Sequence, residues 1–478
     1  MTGLKRFAML RTRCDGEGDC KLRRPDVAGA AVSESWSERR IVILILISVL
    51  TAGLAGRVWL SGHDDGLYWP DEIYQSLEPA HRLVFGYGLL PWEFVKGARS
   101  WAFPGLVAAM IKVALFVGLD SPRQYLTFVR LVFCVISIRT ALGSYRLARA
   151  CGASMLAAAC GTAVFALVAP AVYFAARALS ENASALPVVW GFALALPQRA
   201  GRRQIFIGSC LLGVAALLRL QNGVFCIGLL AILASRRRWD CFGIAGGGFF
   251  LWVFIYGLID RLTWGNWFHS AIVYLQFNLI DGGASRWGTA PFFYYSDALW
   301  TSMGCAALLM GGLALRAVFR APGLLAVSLA FFLLHSYEPH KEMRFILPVL
   351  PLFCALAGVG LDTLAGWSLP ALHRACATAL VVSSFFSFSQ FHHLTFSQIG
   401  QWGAINPPSA SAYDASGSVN RLLLAARVEK DLHGLEIQGT ELAWTGGYSY
   451  LHRRVPLYQD SAPPLEPVMN LGVAKRHL

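Results

Sequence analysis

The chain has 478 residues, of which 56% are hydrophobic and only 14% charged, where a soluble domain carries roughly 25% charge. This excludes a soluble enzyme, a disordered chain and a coiled coil, and it points to a polytopic helical membrane protein, because apolar stretches of about 20 residues recur. The 41 Lys and Arg against 28 Asp and Glu leave a charge of +13, but the Arg clusters lie between apolar stretches, as the positive-inside rule requires, and no basic platform interleaved with aromatics suggests nucleic acid.

In chain order, residues 1–40 form a polar, basic arm, expected in the cytoplasm. The run Ile41–Leu60 is too long for a cleaved signal and reads as a first span. Residues 61–124 read as a large outside loop with juxtamembrane helices: Phe103–Leu119 carries Lys112 in its middle, and letting it cross would put Arg146 and Arg149 outside. Further spans are predicted at about 125–145, 152–170, 182–197, 205–219, 222–234, 241–259, 298–315, 322–336, 345–362 and 372–388. Five inside turns then carry Arg, and 260–297 is a second outside loop. With about eleven spans, the tail 389–478 lies outside, as a small mixed α/β appendage to the membrane domain 41–388. Val419–Leu432 reads as an amphipathic helix and Glu436–Tyr450 as strand-turn-strand about Gly446-Gly447. None of the eleven cysteines falls in 61–124 or 389–478, so no disulfide is predicted; Cys14 and Cys20 are too far apart for a zinc knuckle.

Polar chemistry concentrates in the outside segments. In Trp69-Pro70-Asp71-Glu72, the proline marks a helix start. Helical spacing from there puts Asp71, Gln75 and Glu78 on one face. A carboxylate at the water–lipid boundary could serve as base for a hydroxyl, or merely suit the helix dipole. The segment Ser336–Phe345 contains His340, Lys341 and Arg344, cations on the side where topology does not favour them, which suggests an anion such as a lipid phosphate. The loop 260–297 mixes Gly with aromatics, which suit sugar rings and the interfacial belt alike. Asn182-Ala183-Ser184 matches a glycosylation sequon, and His392-His393 has no carboxylate partner at metal spacing.

Taken together, these segments resemble glycosyltransferase family 22, the lipid-phosphate-mannose-dependent mannosyltransferases of GPI-anchor and N-glycan assembly. Its first-loop signature is matched by Trp69-Pro70-Asp71-Glu72, Gln75, Glu78, His81, Trp92-Glu93 and Arg99-Ser100, with Trp69 where the family usually has His. Ala176-Arg177-Ala178-Leu179-Ser180 matches a second segment; Asp260-Arg261, Trp264-Gly265, Phe277-Asn278, Gly282-Gly283 and Gly288-Thr289 a third; His340-Lys341-Glu342-Met343-Arg344-Phe345 a fourth. The resemblance implies the GT-C fold and inverting transfer of a hexose, mannose foremost, from a polyprenyl- or dolichyl-phosphate sugar to a lipid-linked glycan. It implies Asp71 and Glu72 as catalytic residues and His340, Lys341 and Arg344 around the donor phosphate. Gln75, Glu78, Trp92, Glu93, Arg99, Arg177 and Asn278 are the further substrate-binding candidates. No cofactor is expected, and metal dependence is left open. Composition looks bacterial, with the site facing the periplasm; a eukaryotic member would sit in the ER membrane with a luminal site. The rival classes are a lipid or solute transporter, which would place ionisable residues near the midplane of spans, and a non-catalytic subunit on the same scaffold.

Overall fold

The computed structural model describes residues 36–366, 370–400, 407–459 and 469–470. Most of the arm 1–40, including Cys14 and Cys20, and part of the tail lie outside the described residues. The chain divides into a unit ending at Ile41, described only as the first turns of a helix, and a unit from Val42 to the end.

Helix α1 runs Trp36–His63. The first loop holds α2 (Pro70–Glu72), a π-turn Ile73–Leu77, α3 (Glu78–Phe85), β1 (Leu90–Pro91), α4 (Trp92–Val95) and α5 (Ala102–Phe116). The apolar helices follow: α6 (Pro122–Ala150), α7 (Met155–Leu167), α8 (Ala169–Tyr173), α9 (Ser180–Ala195), α10 (Arg202–Leu218), α11 (Gly223–Ser235) and α12 (Trp239–Trp264). The second loop contains α13 (His269–Leu275), and α14 (Tyr294–Met303), α15 (Cys305–Arg316), α16 (Pro322–Tyr337), α17 (Leu350–Gly366) and α18 (Pro370–Ser389) complete the bundle. These bounds fall within a few residues of the spans read from hydropathy.

Among the described residues, four helices are long and apolar enough to cross a bilayer alone: Arg39–His63, Pro122–Ala150, Trp239–Trp264 and Pro370–Ser389. Several others are short because the chain breaks them. α7 stops at Val168, whose extended ψ of 140° leads into Pro170 at the start of α8. Arg57, fully buried in α1, satisfies the carbonyls freed at that break: it donates to Ala166 O at 2.6 Å and Phe165 O at 3.1 Å, and to Ser137 Oγ at 3.0 Å. The span read as 298–315 is likewise two helices, split at Gly304 with φ +57° and ψ −134°, a conformation that only glycine adopts freely.

Where helices must come closest, the residues are small. A Cβ on Gly161 of α7 would collide with the backbone oxygen of Cys354 in α17, so the two helices pack backbone to backbone. The nine cysteines among the described residues are free thiols.

The appendage holds α19 (Gly417–Ala426), β2 (Leu435–Ile437), α20 (Gly447–Leu451) and β3 (Leu457–Gln459). β2 and β3 pair in parallel, Leu435 opposite Leu457, and β1 pairs antiparallel with β4 (Met469–Asn470). The hairpin expected over 436–450 is therefore absent: Gly447, at φ +53°, opens a helical turn, and the partner strand arrives only after it. The amphipathic helix is shorter than 419–432 because the chain turns beyond Ala426. The appendage shares its core with the first loop and the start of α6, Tyr74, Leu77 and Tyr125 packing with Leu442, Trp444, Tyr448 and Leu451.

Candidate active site

A solvent-open cavity lies where the first loop meets α9, α10, α12 and α13. Asp71 and Gln75 enter from α2 and the π-turn, Arg99 from the loop before α5, Ser180 and Glu181 from the start of α9. Arg219 and Gln221 come from the turn after α10, Tyr256 from α12, Tyr274 from α13 and Arg344 from the 3-10 turn Met343–Ile346.

Asp71 stands at the first turn of α2 because Pro70 starts it, where a carboxylate suits the helix dipole. It keeps 26% of its side chain exposed, while its partner Arg344 is buried. Arg344 binds three carboxylates: Asp71, Glu342 through Nε at 2.5 Å and Nη2 at 3.0 Å, and Glu181 at 3.2 Å. Glu342 is held in turn by His340, Nε2 to Oε1 3.0 Å. Burial alone would raise the Glu342 carboxyl; Arg344 and the His340 bond outweigh it and hold it down to about 2. His340, Glu342 and Arg344 thus form a chain that ends on Asp71. Glu181 is shared with Arg219, 2.9 Å away.

Gln75 donates to Glu93 at 2.8 Å. Burial, together with the nearby charge of Asp71, pushes Glu93 up to about 7, against the pull of Arg99 and Gln75. Arg99 has no carboxylate within ion-pair distance among the described residues, and its Nε is buried without a partner. Its guanidinium lies 5.5 Å from the Tyr274 ring. Gly97, at φ +75° and packed against the His269 ring, lets this loop pass close to α13. Asp260 fixes the start of α13 by accepting from Ser270 N at 2.7 Å.

Of the expected residues, Asp71, Gln75, Arg99 and Arg344 line the cavity, and Glu93 lies behind Gln75. The others stand elsewhere. Glu72, adjacent to Asp71 but on another face, pairs with Arg177 at 2.9 Å; Arg177 also binds Asp64 at 2.7 Å, in a separate small cavity. Glu78 is absent from the Asp71 face because the π-turn adds a residue to the turn between them and rotates it away. Lys341 donates to Ala290 O at 2.7 Å and Glu338 O at 2.5 Å, and His340 faces Glu342, so the three cations do not converge on one anion. Trp92 packs against Phe277 with the rings tilted by 45° and centroids 4.4 Å apart, and Asn278 donates to Tyr274 O at 2.9 Å. The sequon Asn182 is buried, and its amide donates to Phe174 O, Ala175 O and Arg177 O. Glu181, Arg219, Gln221, Tyr256 and Tyr274 escaped the sequence reading. Arg219 carried a signal: it falls in a turn that the Arg pattern reads as outside, against the positive-inside trend. Among the described residues, no group of three or more His, Cys, Asp and Glu is arranged to hold a metal ion.

The architecture is similar to two solved membrane structures. ArnT from Cupriavidus metallidurans bound to undecaprenyl phosphate superposes with TM-score 0.55 at 14% identity, over 88% of this chain and 86% of that one. The Archaeoglobus fulgidus oligosaccharyltransferase superposes with TM-score 0.55 at 10% identity, over 88% of this chain and 64% of that one. The fold is thus the GT-C fold of multi-pass membrane glycosyltransferases. A profile of the Alg9-like mannosyltransferase family matches residues 48–415, and the chain belongs to that family. GPI mannosyltransferase 3 of Yarrowia lipolytica is 30% identical over 60% of this chain and 56% of its own length. GPI alpha-1,2-mannosyltransferase 3 of Bos taurus is 29% identical over 63% and 57%. The chain thus matches little more than half the length of these curated relatives. Both relatives are eukaryotic, and neither supports the expected bacterial source.

Proposed function

We propose that the protein moves a mannosyl residue from a polyprenyl- or dolichyl-phosphate carrier to a hydroxyl of a lipid-linked glycan. The observation that carries this is Asp71, a carboxylate open to a cavity walled by Arg344, Arg219 and Arg99. The acceptor hydroxyl attacks the anomeric carbon, its proton passes to Asp71, and the bond from that carbon to the phosphate oxygen breaks with inversion. The leaving group departs as a phosphate monoester and needs no general acid, but its growing negative charge needs fixed cations.

Arg344 is already shared among three carboxylates, so its role is to aim Asp71 and Glu181. Arg99, unpaired, and Arg219, whose Nε is buried without a partner, are the guanidiniums with capacity left for the phosphate. This reading moves the donor phosphate from His340 and Lys341 to Arg99 and Arg219. Charge is met by guanidinium groups, so transfer should persist in EDTA. The names of the relatives favour an α1,2 linkage on a GPI-type glycolipid.

Purified protein incubated with radiolabelled polyprenyl-phosphate mannose and a total lipid extract tests the proposal. Label in a new glycolipid, removed by an α-mannosidase, is the expected result. Label remaining wholly on the donor, across extracts from several eukaryotes and bacteria, would contradict it.

A further inference from the structure

The stretch from α2 through the π-turn to α3 presents two faces. One carries Asp71 and Gln75 into the cavity. The other carries Tyr74, Glu78 and His81, and each meets the appendage. Tyr74 donates its hydroxyl to Leu442 O at 2.5 Å and Thr445 O at 3.1 Å. Glu78, fully buried, accepts from Ser449 N at 2.5 Å, Ser449 Oγ at 2.7 Å and, on its other oxygen, Leu89 N at 2.8 Å. His81 Nε2 lies 3.0 Å from His452 Nδ1. Gly447 sits against the Glu78 side chain, where a Cβ would approach its carboxyl carbon to 2.9 Å. The partner residues belong to 442–452, beyond the family match at 48–415.

Glu78, fully buried and away from the cavity lining, places its three hydrogen bonds on Ser449 and Leu89, so both of its oxygens are engaged in joining the appendage to the first loop. We infer that the appendage positions Asp71: it grips the back of the π-turned helix at Tyr74, Glu78 and His81, with Glu78 as the anchor, and so fixes the rotation that turns Asp71 and Gln75 into the cavity. This rests on the reading of Asp71 as the base. Glu78 is a positioning residue, and the anchor and the base share one short helical stretch.

The test uses the full chain in lipid nanodiscs, with Glu78→Gln and Tyr74→Phe. The first puts an amide N–H against an N–H donor; the second removes two hydrogen bonds and keeps the ring, so it remains informative if the first does not fold. Backbone hydrogen exchange is followed in peptides spanning 70–85 and 442–452, alongside mannosyl transfer per folded protein. Losing one buried charge-assisted contact should speed exchange in both segments by about tenfold, while α6 and α17 exchange as in wild type. Transfer should fall by about tenfold or more with donor KM within about twofold, since the acceptor's base and not the donor site is displaced. Unchanged exchange at 70–85 with transfer lost would mean that Glu78 acts on the substrate itself. Accelerated exchange with wild-type transfer would mean that the appendage does not position Asp71. Either result overturns the inference. Because exchange is read without substrate, a wild-type protein that transfers no sugar contradicts the proposed function alone, and unchanged exchange at 70–85 then still overturns the joint.

Discussion

Arg99 and Lys341 look alike in the sequence, two cations in motif segments, yet their surroundings separate them. Lys341 is consumed by two backbone carbonyls, whereas Arg99 faces the cavity without an ion pair among the described residues. A charge-assisted contact to phosphate is worth about 1.5–3 kcal/mol. Arg99→Ala should therefore raise donor KM by about 10- to 100-fold, while Lys341→Ala, measured in the same titration at fixed acceptor, should stay within about threefold. Equal losses in both would return the phosphate to the 340–344 segment. Arg344→Ala is a poor probe of donor binding, because it strands three carboxylates and should destabilise the fold by about 3–5 kcal/mol. Glu93 supplies a pH signature. Its folded pKa of about 7 lies above the ordinary carboxyl value, so the folded state holds more protons than the unfolded one between about pH 4.5 and 7. Its contribution is present below that window and is lost as pH rises through it. Thermal melts from pH 5 to 8 should show Glu93→Gln with a shallower decline than wild type, and parallel curves would contradict the assignment. Residue identities were legible in the sequence; partners were not, because what separates Glu72, Lys341 and Arg177 from Asp71, Arg344 and Arg99 is chiefly the direction each side chain points, which spacing does not record.

Helices were the most legible elements, since an apolar run in a bilayer leaves the backbone no alternative to internal hydrogen bonding. Their interruptions were not. The π-turn at 73–77 has no composition signature, and it moves Glu78 off the face that regular spacing assigns. The break at Gly304 sits inside the run 298–315, just after Thr301-Ser302, and nothing within 4 Å of a Cβ there explains the glycine, so backbone conformation alone requires it. Gly304→Ala should consequently lower stability by about 1–3 kcal/mol without steric conflict. A detergent melt shifted down by several degrees is expected; an unshifted one would mean that α14 and α15 can form one continuous helix.

Over the whole molecule, four polar segments far apart in sequence close on one another. Trp264 donates to Arg99 O at 3.1 Å, Ala290 N to Pro339 O at 2.9 Å, and Leu67 N to Ala415 O at 2.9 Å. The two large loops, the 338–344 turn and the tail therefore lie together at one end of the helical bundle; the expectation that this end faces outside rests on the Arg pattern. Alkaline phosphatase fused at the chain end should be active and fused after Arg203 inactive; the reverse would move the cavity to the cytoplasm. The appendage was the least legible part, because its short elements take their shape from the first loop that they pack against, and no local pattern records that contact. All of this converges on one carboxylate. The most direct measurement is mannosyl transfer by Asp71→Asn in nanodiscs, with radiolabelled polyprenyl-phosphate mannose and a lipid acceptor. The substitution is nearly isosteric and keeps an oxygen for Arg344. Loss of the base should cut kcat by about 10²–10⁴ with donor KM nearly unchanged. Transfer within about threefold of wild type would contradict the assignment of Asp71 and, with it, the role of the cavity.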